Sequence, residues 1–342
     1  MESDFRSDTV TRPCAAMRAA MAAAEVGDDV LDGDPTVAAL EKEGAAWLGK
    51  DGALFVPSGT MANQIAMGAW TRPGDELIAE REAHVLVYEA GAAGALHGLQ
   101  SVTLAGHKGA LDPAQVAAAL RPDFVHCPRT GLVCVEQTHM ASGGSVVPLE
   151  NLRAVAEVAR AAGVAVHMDG ARLAHAVVAS GVAARDYAAC ADSVSLCLSK
   201  GLGAPVGSLI AGPAEFLERA RRVRKQLGGW MRQAGIIAAA GRMALAENVE
   251  RLADDHLLAK ELAAVVEGFS GLGVPAGGPE TNLVPVRVER EGLGAEQLAA
   301  SLGERGVRVM ALSPAVLRFV THRDVSGENI AHLQRSLAQI LS

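Results

Sequence analysis

The feature that most restricts the fold of this chain is an alternation of strand-like and helix-like segments between about residues 35 and 215. The run 53–56 is a short apolar strand, 149–162 has apolar residues at helical spacing, and 164–168 and 193–198 are again strand-like. Strands that are separated by helices are joined by right-handed crossovers, which favours a mostly parallel sheet with helices on both faces. The sequence therefore predicts an α/β fold.

The length of the chain predicts two domains. Its 342 residues exceed the roughly 250–300 residues at which a single hydrophobic core stops growing. After a Gly- and Pro-rich stretch at 268–279, two short strands alternate with two helices. We therefore predict a large domain at 1–250 and a smaller α/β domain at 251–342. With 37 Gly but only six Phe, three Trp and two Tyr, both domains must pack mainly through small and aliphatic side chains.

The charge of the chain argues against a polyanionic partner. Lys and Arg number 31 against 39 Asp and Glu, which gives a net charge of −8, so we expect no nucleic acid ligand. One basic run, 219–225, holds five cations, and its simplest interpretation is a solvated helix face.

The remaining composition indicates a cytoplasmic protein. The five cysteines are odd in number and contain no Cys-x-x-Cys, which is typical of reduced thiols and not of a disulfide framework or a zinc site. The polar segment 1–12 predicts no signal peptide. No apolar run reaches the length of about 18–20 residues that a membrane span needs, so we expect no membrane partner.

The helix that follows the predicted strand 53–56 offers a phosphate site. Ser58, Gly59 and Thr60 stand at its amino terminus. Free N–H groups and the positive end of the helix dipole favour an anion at such a position. The same residues also form an ordinary helix cap, so this motif alone is a weak signal.

Two more polar residues follow neighbouring strands, at the sheet edge where ligands bind in open α/β folds. Asp169 comes after 164–168, and Lys200 comes after 193–198 in a Gly-rich turn. Burial would lower the pKa of the Lys200 amine and make it a nucleophile. The alternatives are a structural ion pair between Asp169 and Arg172 and a solvent-exposed position for Lys200.

Taken together, these strand ends supply what pyridoxal phosphate needs. Lys200 can hold the aldehyde, Asp169 can hold the pyridine nitrogen, and the helix terminus can hold the phosphate. The competing cofactor is a dinucleotide, but the Gly-rich turn 201–207 does not match Gly-x-Gly-x-x-Gly and carries Pro205 where a helix should start. We therefore predict pyridoxal phosphate and no metal.

The sequence resembles the low-specificity L-threonine aldolases, which are fold-type I pyridoxal-phosphate enzymes. The resemblance covers nearly the whole chain, from Arg6 to about Asp324. It depends on motifs that stand in the family's order, at 7–11, 25–29, 34–36, 55–61, 83–84, 88–91, 167–172, 197–208, 231–235 and 320–322. It implies a large domain with a mostly parallel sheet of the seven-stranded type, a smaller α/β domain, and a contribution of segment 1–35 to the active site.

The resemblance also implies a role for individual residues. The implied catalytic residues are Lys200, His84, His126 and Asp169. The implied cofactor-binding residues are Gly59, Thr60, His84, Asp169, Arg172, Ser199, Lys200, Lys225 and Arg232. The implied substrate-binding residues are Ser7, Tyr88, His126, Arg172 and Arg318. Lys225 and Arg232 match positions near the cofactor phosphate and the mouth of the site, and whether the same subunit or a neighbouring one supplies them is open.

The activity implied by the resemblance is retro-aldol cleavage of L-threonine, L-allo-threonine and related L-β-hydroxy-α-amino acids to glycine and an aldehyde. The base could be His126, His84 or a water held by the phosphate. β-Elimination or racemisation of a small amino acid is the alternative for the same cofactor. A non-enzymatic role on this fold would predict the loss of Lys200 or Arg318, and both are present. The family further implies a homotetramer, a dimer of dimers with the active site at the dimer interface.

Overall fold

The computed structural model describes residues 2–342. Its strands are β1 (Ser3–Asp4), β2 (Gly52–Val56), β3 (Glu76–Glu80), β4 (Gln100–Leu104), β5 (Gly106–His107), β6 (Ala110–Leu111), β7 (Thr130–Glu136), β8 (Ala165–Gly170), β9 (Ser193–Cys197), β10 (Ser208–Gly212), β11 (Leu272–Gly273), β12 (Leu283–Val288), β13 (Val307–Arg308), β14 (Met310–Ser313) and β15 (Val316–Val320). Seven of these strands form one sheet in the order β2-β10-β9-β8-β7-β3-β4. Only β10 runs antiparallel to its neighbours in that sheet. The predicted α/β fold with a mostly parallel seven-stranded sheet is confirmed.

The helices are α1 (Ala15–Ala22), α2 (Pro35–Leu48), α3 (Gly59–Trp70), α4 (His84–Val87), α5 (Ala92–His97), α6 (Pro113–Ala119), α7 (Leu149–Ala161), α8 (Leu173–Ser180), α9 (Ala184–Ala188), α10 (Ala214–Gln226), α11 (Gly235–Glu247), α12 (Leu252–Glu267), α13 (Ala295–Gly303) and α14 (Gly327–Leu341). Local chemistry sets their ends. Asp34 caps α2 by accepting hydrogen bonds from the backbone N–H groups of Thr36 and Val37, and Gly49 ends it in the left-handed conformation. Within residues 2–342, no helix is both long and apolar enough to cross a bilayer.

The large sheet is buried on both faces. Along β7, Leu132 and Cys134 pack into one apolar cluster, while Val133 and Val135 pack into another. This alternation explains why β7 is apolar throughout: both faces of a parallel strand are covered by helices. Close packing depends on small residues, because an added Cβ at Gly44 of α2 would overlap the side chain of Leu209 in β10.

A second sheet, in the order β11-β12-β15-β14, lies in the carboxy-terminal part of the chain. Helices α12, α13 and α14 pack against it around a separate apolar cluster. The amino-terminal segment joins this second core, since β1 pairs with β13 and the buried Phe5 packs edge-on against Phe319. Residues near position 5 therefore pack with the carboxy-terminal core and not with the large sheet.

Two features of the large sheet and its helices differ from the sequence pattern. The apolar spacing at 231–266 is helical almost throughout, but the structure divides this stretch into α11 and α12. Helix α11 packs in the core of the large sheet, which α12 joins only through Leu252, while residues 259–266 of α12 pack in the carboxy-terminal core. Strand β10 follows a Gly-rich turn and has no crossover helix before it, so it enters the sheet antiparallel. Its first residue, Ser208, consequently lies at the carboxyl edge of the parallel strands, opposite Val56 and Cys197.

Candidate active site

Three of the predicted site residues meet at the carboxyl edge of the large sheet. Asp169 lies near the end of β8, Lys200 follows β9, and Gly59 begins the helix after β2. Strand β10 separates β2 from β9 in the sheet. The three strand ends singled out in the sequence therefore lie along one edge of one sheet, as expected for a ligand site in an open α/β fold.

The start of α3 forms an open, electropositive cradle. Ser58 caps the helix by accepting a hydrogen bond from the Met61 N–H, while the N–H groups of Gly59 and Thr60 have no acceptor within the helix. An ideal Cβ on Gly59 would lie 3.6 Å from Ser208 Oγ, so the missing side chain leaves space beside that hydroxyl. Ser208 Oγ is buried and has no hydrogen-bond partner within residues 2–342. A free helix terminus beside an unpaired hydroxyl suits a phosphate.

Asp169 is a buried acid that remains ionised. Asn63 Nδ2 donates to its Oδ2 at 2.8 Å, and the Ala171 N–H donates to its Oδ1 at 3.0 Å. Burial alone would raise the pKa of Asp169, but the positive charges of His84 and Lys200 outweigh it and lower that pKa below its usual value. A buried carboxylate of this kind can hold a protonated pyridine nitrogen.

His84 is held at the same edge by a second buried acid. Its Nδ1 lies 3.0 Å from Glu89 Oε1, and its backbone N–H donates to Glu136. Burial lowers the pKa of His84, but the bond to Glu89 and the charge of Asp169 raise it above the usual value overall. Ligand atoms of His84, Glu89 and Asp169 lie within 4.8 Å of one another. Asn63 already donates to both carboxylates, so hydrogen bonds account for this group without a metal.

Arg172 forms a buried ion pair with Asp8. Its Nε donates to Asp8 Oδ2 at 2.8 Å and its Nη2 to Asp8 Oδ1 at 2.7 Å. The Arg172 charge and hydrogen bonds, together with Lys200, overcome the effect of burial and place the pKa of Asp8 well below its usual range. The sequence-based alternative, a pair between Arg172 and Asp169, is not what the structure shows. Asp8 fixes the guanidinium instead.

Arg318 of β15 is a buried cation that has no carboxylate partner within residues 2–342. It is 8% exposed, its Nη2 donates to the Arg6 carbonyl at 3.2 Å, and its Nε has no partner within residues 2–342. Burial and the nearby Arg172 lower its pKa. A buried guanidinium with a free N–H is suited to bind a carboxylate in bidentate fashion.

Three further predicted residues, Ser7, Tyr88 and Ser199, lie beside residues of the site. Ser7 accepts hydrogen bonds from Thr9 and immediately precedes Asp8. The ring of Tyr88 lies 5.7 Å from the His84 ring and is largely exposed. Ser199 Oγ lies 3.4 Å from Cys197 Sγ, directly before Lys200.

His126 is not brought to this edge within the chain. It lies in the exposed loop that precedes β7, with its ring against Phe124. Arg121 and Arg129 bind that loop to Glu76 and Asp75 at the amino end of β3. The loop is therefore at the opposite edge of the sheet from Lys200, separated by a seven-residue strand. The role that the resemblance implies for His126 stays a prediction and requires a second copy of the chain.

The basic run 219–225 divides into buried and exposed cations. Arg224 is 3% exposed, donates to Glu41 and the Phe55 carbonyl, and stacks on Trp230. Lys225 is exposed at the end of α10, and Arg232 is exposed and binds both oxygens of Asp28. Neither of these two predicted cofactor ligands contacts the cradle at Gly59 in the single chain.

Sequence reasoning assigned no role to four residues that hold the site together. They are Asp8, Asn63, Glu89 and Glu136, all of them less than one-tenth exposed. Asn63 carried a usable signal, since it and Gln64 interrupt the apolar stretch 61–70 of α3, and a buried amide must be hydrogen-bonded. Asp8 and Glu89 lie in the family motifs 7–11 and 88–91. Their hydrogen-bond partners could not be predicted, because these contacts join segments that are distant in the sequence.

The edge fits pyridoxal phosphate. Ser208 Oγ and the α3 terminus offer unpaired donors for a phosphate, and Arg318 Nε offers one for a carboxylate. Asp169 supplies the negative charge for a pyridine nitrogen, and the position of Lys200 after β9 suits an amine that reacts with an aldehyde.

The fold and this donor set suit a pyridoxal-phosphate-dependent lyase. Residues 4–289 match the model of the β-eliminating lyase family. The chain belongs to that family.

Individual relatives are described by a more specific reaction than the family is. The chain is 43% identical to the low specificity L-threonine aldolase of Escherichia coli (strain K12), covering 96% of each chain. It is also 43% identical to low-specificity L-threonine aldolase 1 of Arabidopsis thaliana, covering 96% of this chain and 93% of the relative. A solved threonine aldolase of Leishmania major has the same fold, with a TM-score of 0.85, 21% identity, and coverage of 99% of this chain and all of the other. The resemblance seen in the sequence is confirmed.

Proposed function

We propose that the protein is a pyridoxal-phosphate-dependent lyase that cleaves L-threonine, L-allo-threonine and related L-β-hydroxy-α-amino acids to glycine and an aldehyde. The observation that carries this proposal is the meeting of Lys200, Asp169 and His84 at the carboxyl edge of the large sheet, with the buried Arg318 of β15 close to Arg172. The identity to L-threonine aldolases over almost the whole chain supports the reaction type.

Different residues at this edge would bind different parts of the cofactor. Gly59, Thr60 and Ser208 would bind its phosphate, Asp169 its pyridine nitrogen, and Lys200 its aldehyde. When bound, pyridoxal phosphate supplies an electron sink for the pair released as the Cα–Cβ bond breaks.

The remaining residues orient the substrate and handle the proton. Arg318 would bind the α-carboxylate, and the bidentate geometry of a guanidinium would fix the orientation of the Cα substituents. Burial lowers the pKa of His84, but the bond from its Nδ1 to Glu89 and the charge of Asp169 raise that pKa above its usual value overall. His84 can therefore stack over the pyridine ring and return a proton at the end of the reaction. The group that accepts the β-hydroxyl proton remains a choice among His84, His126 and a phosphate-bound water.

The direct test is product analysis with the four stereoisomers of threonine. We expect L-threonine and L-allo-threonine to yield glycine and acetaldehyde in equal amounts, and the D-isomers to yield neither. Lys200→Ala should abolish both the turnover and the visible absorption at roughly 420 nm of the Lys-bound cofactor. An unchanged spectrum in Lys200→Ala would refute the assignment of Lys200.

The same cofactor site also suits β-elimination, and the description of the matching family names that reaction. The two reactions differ in their products. Keto acid and ammonia from a small amino acid, with no glycine from threonine, would establish elimination. A change of stereochemistry without either product would establish racemisation.

The assembly and location belong to the same proposal. We expect a cytoplasmic homotetramer built from dimers, with His126, Lys225 and Arg232 approaching the site of a neighbouring subunit. Their exposure in the single chain supports this arrangement. Sedimentation of the holoenzyme gives the subunit number, and activity that is independent of assembly would contradict an interface site.

A further inference from the structure

A buried chain of hydrogen bonds lies behind the two acids of the site. Asn63 Nδ2 donates to Asp169 Oδ2 at 2.8 Å and to Glu89 Oε1 at 2.7 Å. Asn63 Oδ1 accepts from Ser195 Oγ at 2.9 Å and lies 3.0 Å from His167 Nε2. Every hydrogen-bonding group of this amide is therefore in use, in a side chain that is 1% exposed.

The chain of hydrogen bonds extends beyond His167 to Ser193 and Trp70. Trp70 Nε1 can only donate, and it donates to Ser193 Oγ at 2.9 Å. His167 Nδ1 lies 3.0 Å from Ser193 Oγ and 3.2 Å from the Ser193 carbonyl oxygen. Burial lowers the pKa of His167 to about 4, so the ring is neutral and carries a single proton near pH 7.

The two carboxylates determine the orientation of the Asn63 amide. A carboxylate only accepts, so both N–H groups face Asp169 and Glu89, and the amide oxygen faces Ser195 and His167. Glu89 is held further by Gln64 Nε2, which donates to its other oxygen at 2.6 Å.

We infer that Asn63 is a positioning residue that sets the spacing between the acid for the pyridine nitrogen, Asp169, and the acid that orients the ring-facing histidine, Glu89. One amide donates to both carboxylates. If either carboxylate moved toward or away from the ring, it would lose its hydrogen bond to the amide that also holds the other carboxylate. The inference rests on the proposed function only in assigning the cofactor ring to this edge.

The test measures cofactor binding apart from turnover. Apoprotein of Asn63→Ala is titrated with pyridoxal phosphate, and the dissociation constant is taken from the absorption and from Trp fluorescence. We expect it to rise at least about tenfold over wild type, because each buried carboxylate loses a charge-assisted bond. The matched control is Asn151→Ala, which removes a partly buried amide bond to the Leu111 carbonyl outside the site.

Two further variants keep the result interpretable. Asn63→Asp preserves the shape of the side chain but replaces the donor by a third carboxylate, and its dissociation constant should rise at least as much. Glu89→Gln retains an acceptor for Asn63 but removes the charge facing His84. The pKa of His84, which also faces Asp169, Lys200 and Tyr88, should then fall in the NMR titration.

The outcomes separate this inference from the proposed function. Wild-type affinity and spectrum in both Asn63 variants would refute the positioning role, even if threonine is cleaved. If Asn63→Ala does not fold, the isosteric Asn63→Asp decides the question in the same way. If the wild type forms no glycine from threonine but both Asn63 variants lose cofactor affinity, the proposed reaction is wrong and the positioning role stands.

Discussion

The buried histidine pair between α8 and α12 predicts a specific response to acid. His175 Nδ1 lies 2.9 Å from His256 Nε2, and His175 is 2% exposed. Burial, His256 and the nearby arginines Arg172 and Arg251 lower the pKa of His175 to about 3, although the charge of Asp8 opposes them. His175 is therefore neutral in the folded protein throughout the mildly acidic range.

The size and sign of the effect follow from the two protonation states. In the unfolded chain a histidine titrates near pH 6.5, so between about pH 6.5 and 3 the unfolded state binds one more proton at this position. The free energy of unfolding then decreases by about 1.4 kcal/mol for each unit of falling pH. Between pH 7.5 and pH 5, protonation of His175 in the unfolded state should lower the free energy of unfolding of the wild type by about 2 kcal/mol.

The substitution His175→Gln removes this pH-dependent contribution to the free energy of unfolding. At pH 7.5 the variant should be less stable than wild type by about 1 kcal/mol, because the bond to His256 is weakened. At pH 5 the order should reverse, since the variant lacks the group that takes up a proton on unfolding. Titrating groups that do not contact His175 are common to both proteins and cancel in the difference.

Denaturant unfolding of the holoenzyme at pH 7.5, 6.5, 5.5 and 5.0, followed by circular dichroism, measures this difference. His107→Gln is the control, since His107 is exposed in β5. A stability difference between wild type and His175→Gln that stays constant from pH 7.5 to pH 5 would show that His175 is not held neutral, and the reasoning would fail.

Three other substitutions test the site. Arg318→Leu should raise KM for L-threonine at least about tenfold through loss of a charge-assisted pair with the carboxylate, while the cofactor spectrum stays unchanged; an unaltered KM would contradict this role. Asp8→Asn leaves the Arg172 charge buried without its partner, and should lower the free energy of unfolding by about 3–5 kcal/mol in denaturant titrations; a wild-type midpoint would show that the pair is dispensable. Ser208→Ala should weaken binding of pyridoxal phosphate to the apoprotein by roughly threefold to tenfold without affecting the fold, and equal affinity would place the phosphate elsewhere.

The α/β fold and most of the site were predictable because they depend on local patterns. The apolar strands 164–168 and 193–198 end in residues of distinct chemistry, and parallel strands bring such ends to one edge. Lys200 and Asp169 could therefore be located from the sequence alone. The domain boundary at 250 and the roles of single site residues stay predictions.

The supporting residues could not be predicted in the same way. Asp8, which binds Arg172, follows β1, and β1 pairs with the distant β13. A two-residue strand of this kind has no recognisable period. The antiparallel β10 was missed because its direction depends on the length of the preceding turn. The position of His126 at the far edge depends on ion pairs of Arg121 and Arg129, which no periodicity reveals.

The pairing of β1 with β13 has a consequence for how the protein is made. Ser3 binds His332, 329 residues later in the chain, and Phe5 packs in the carboxy-terminal core. Asp8 follows directly and holds Arg172. During synthesis, the large sheet can form while the segment that fixes Arg172 has no strand to join. The catalytic edge is therefore completed only when the last strands leave the ribosome, and a chain stopped before β13 would have a folded sheet without a finished site.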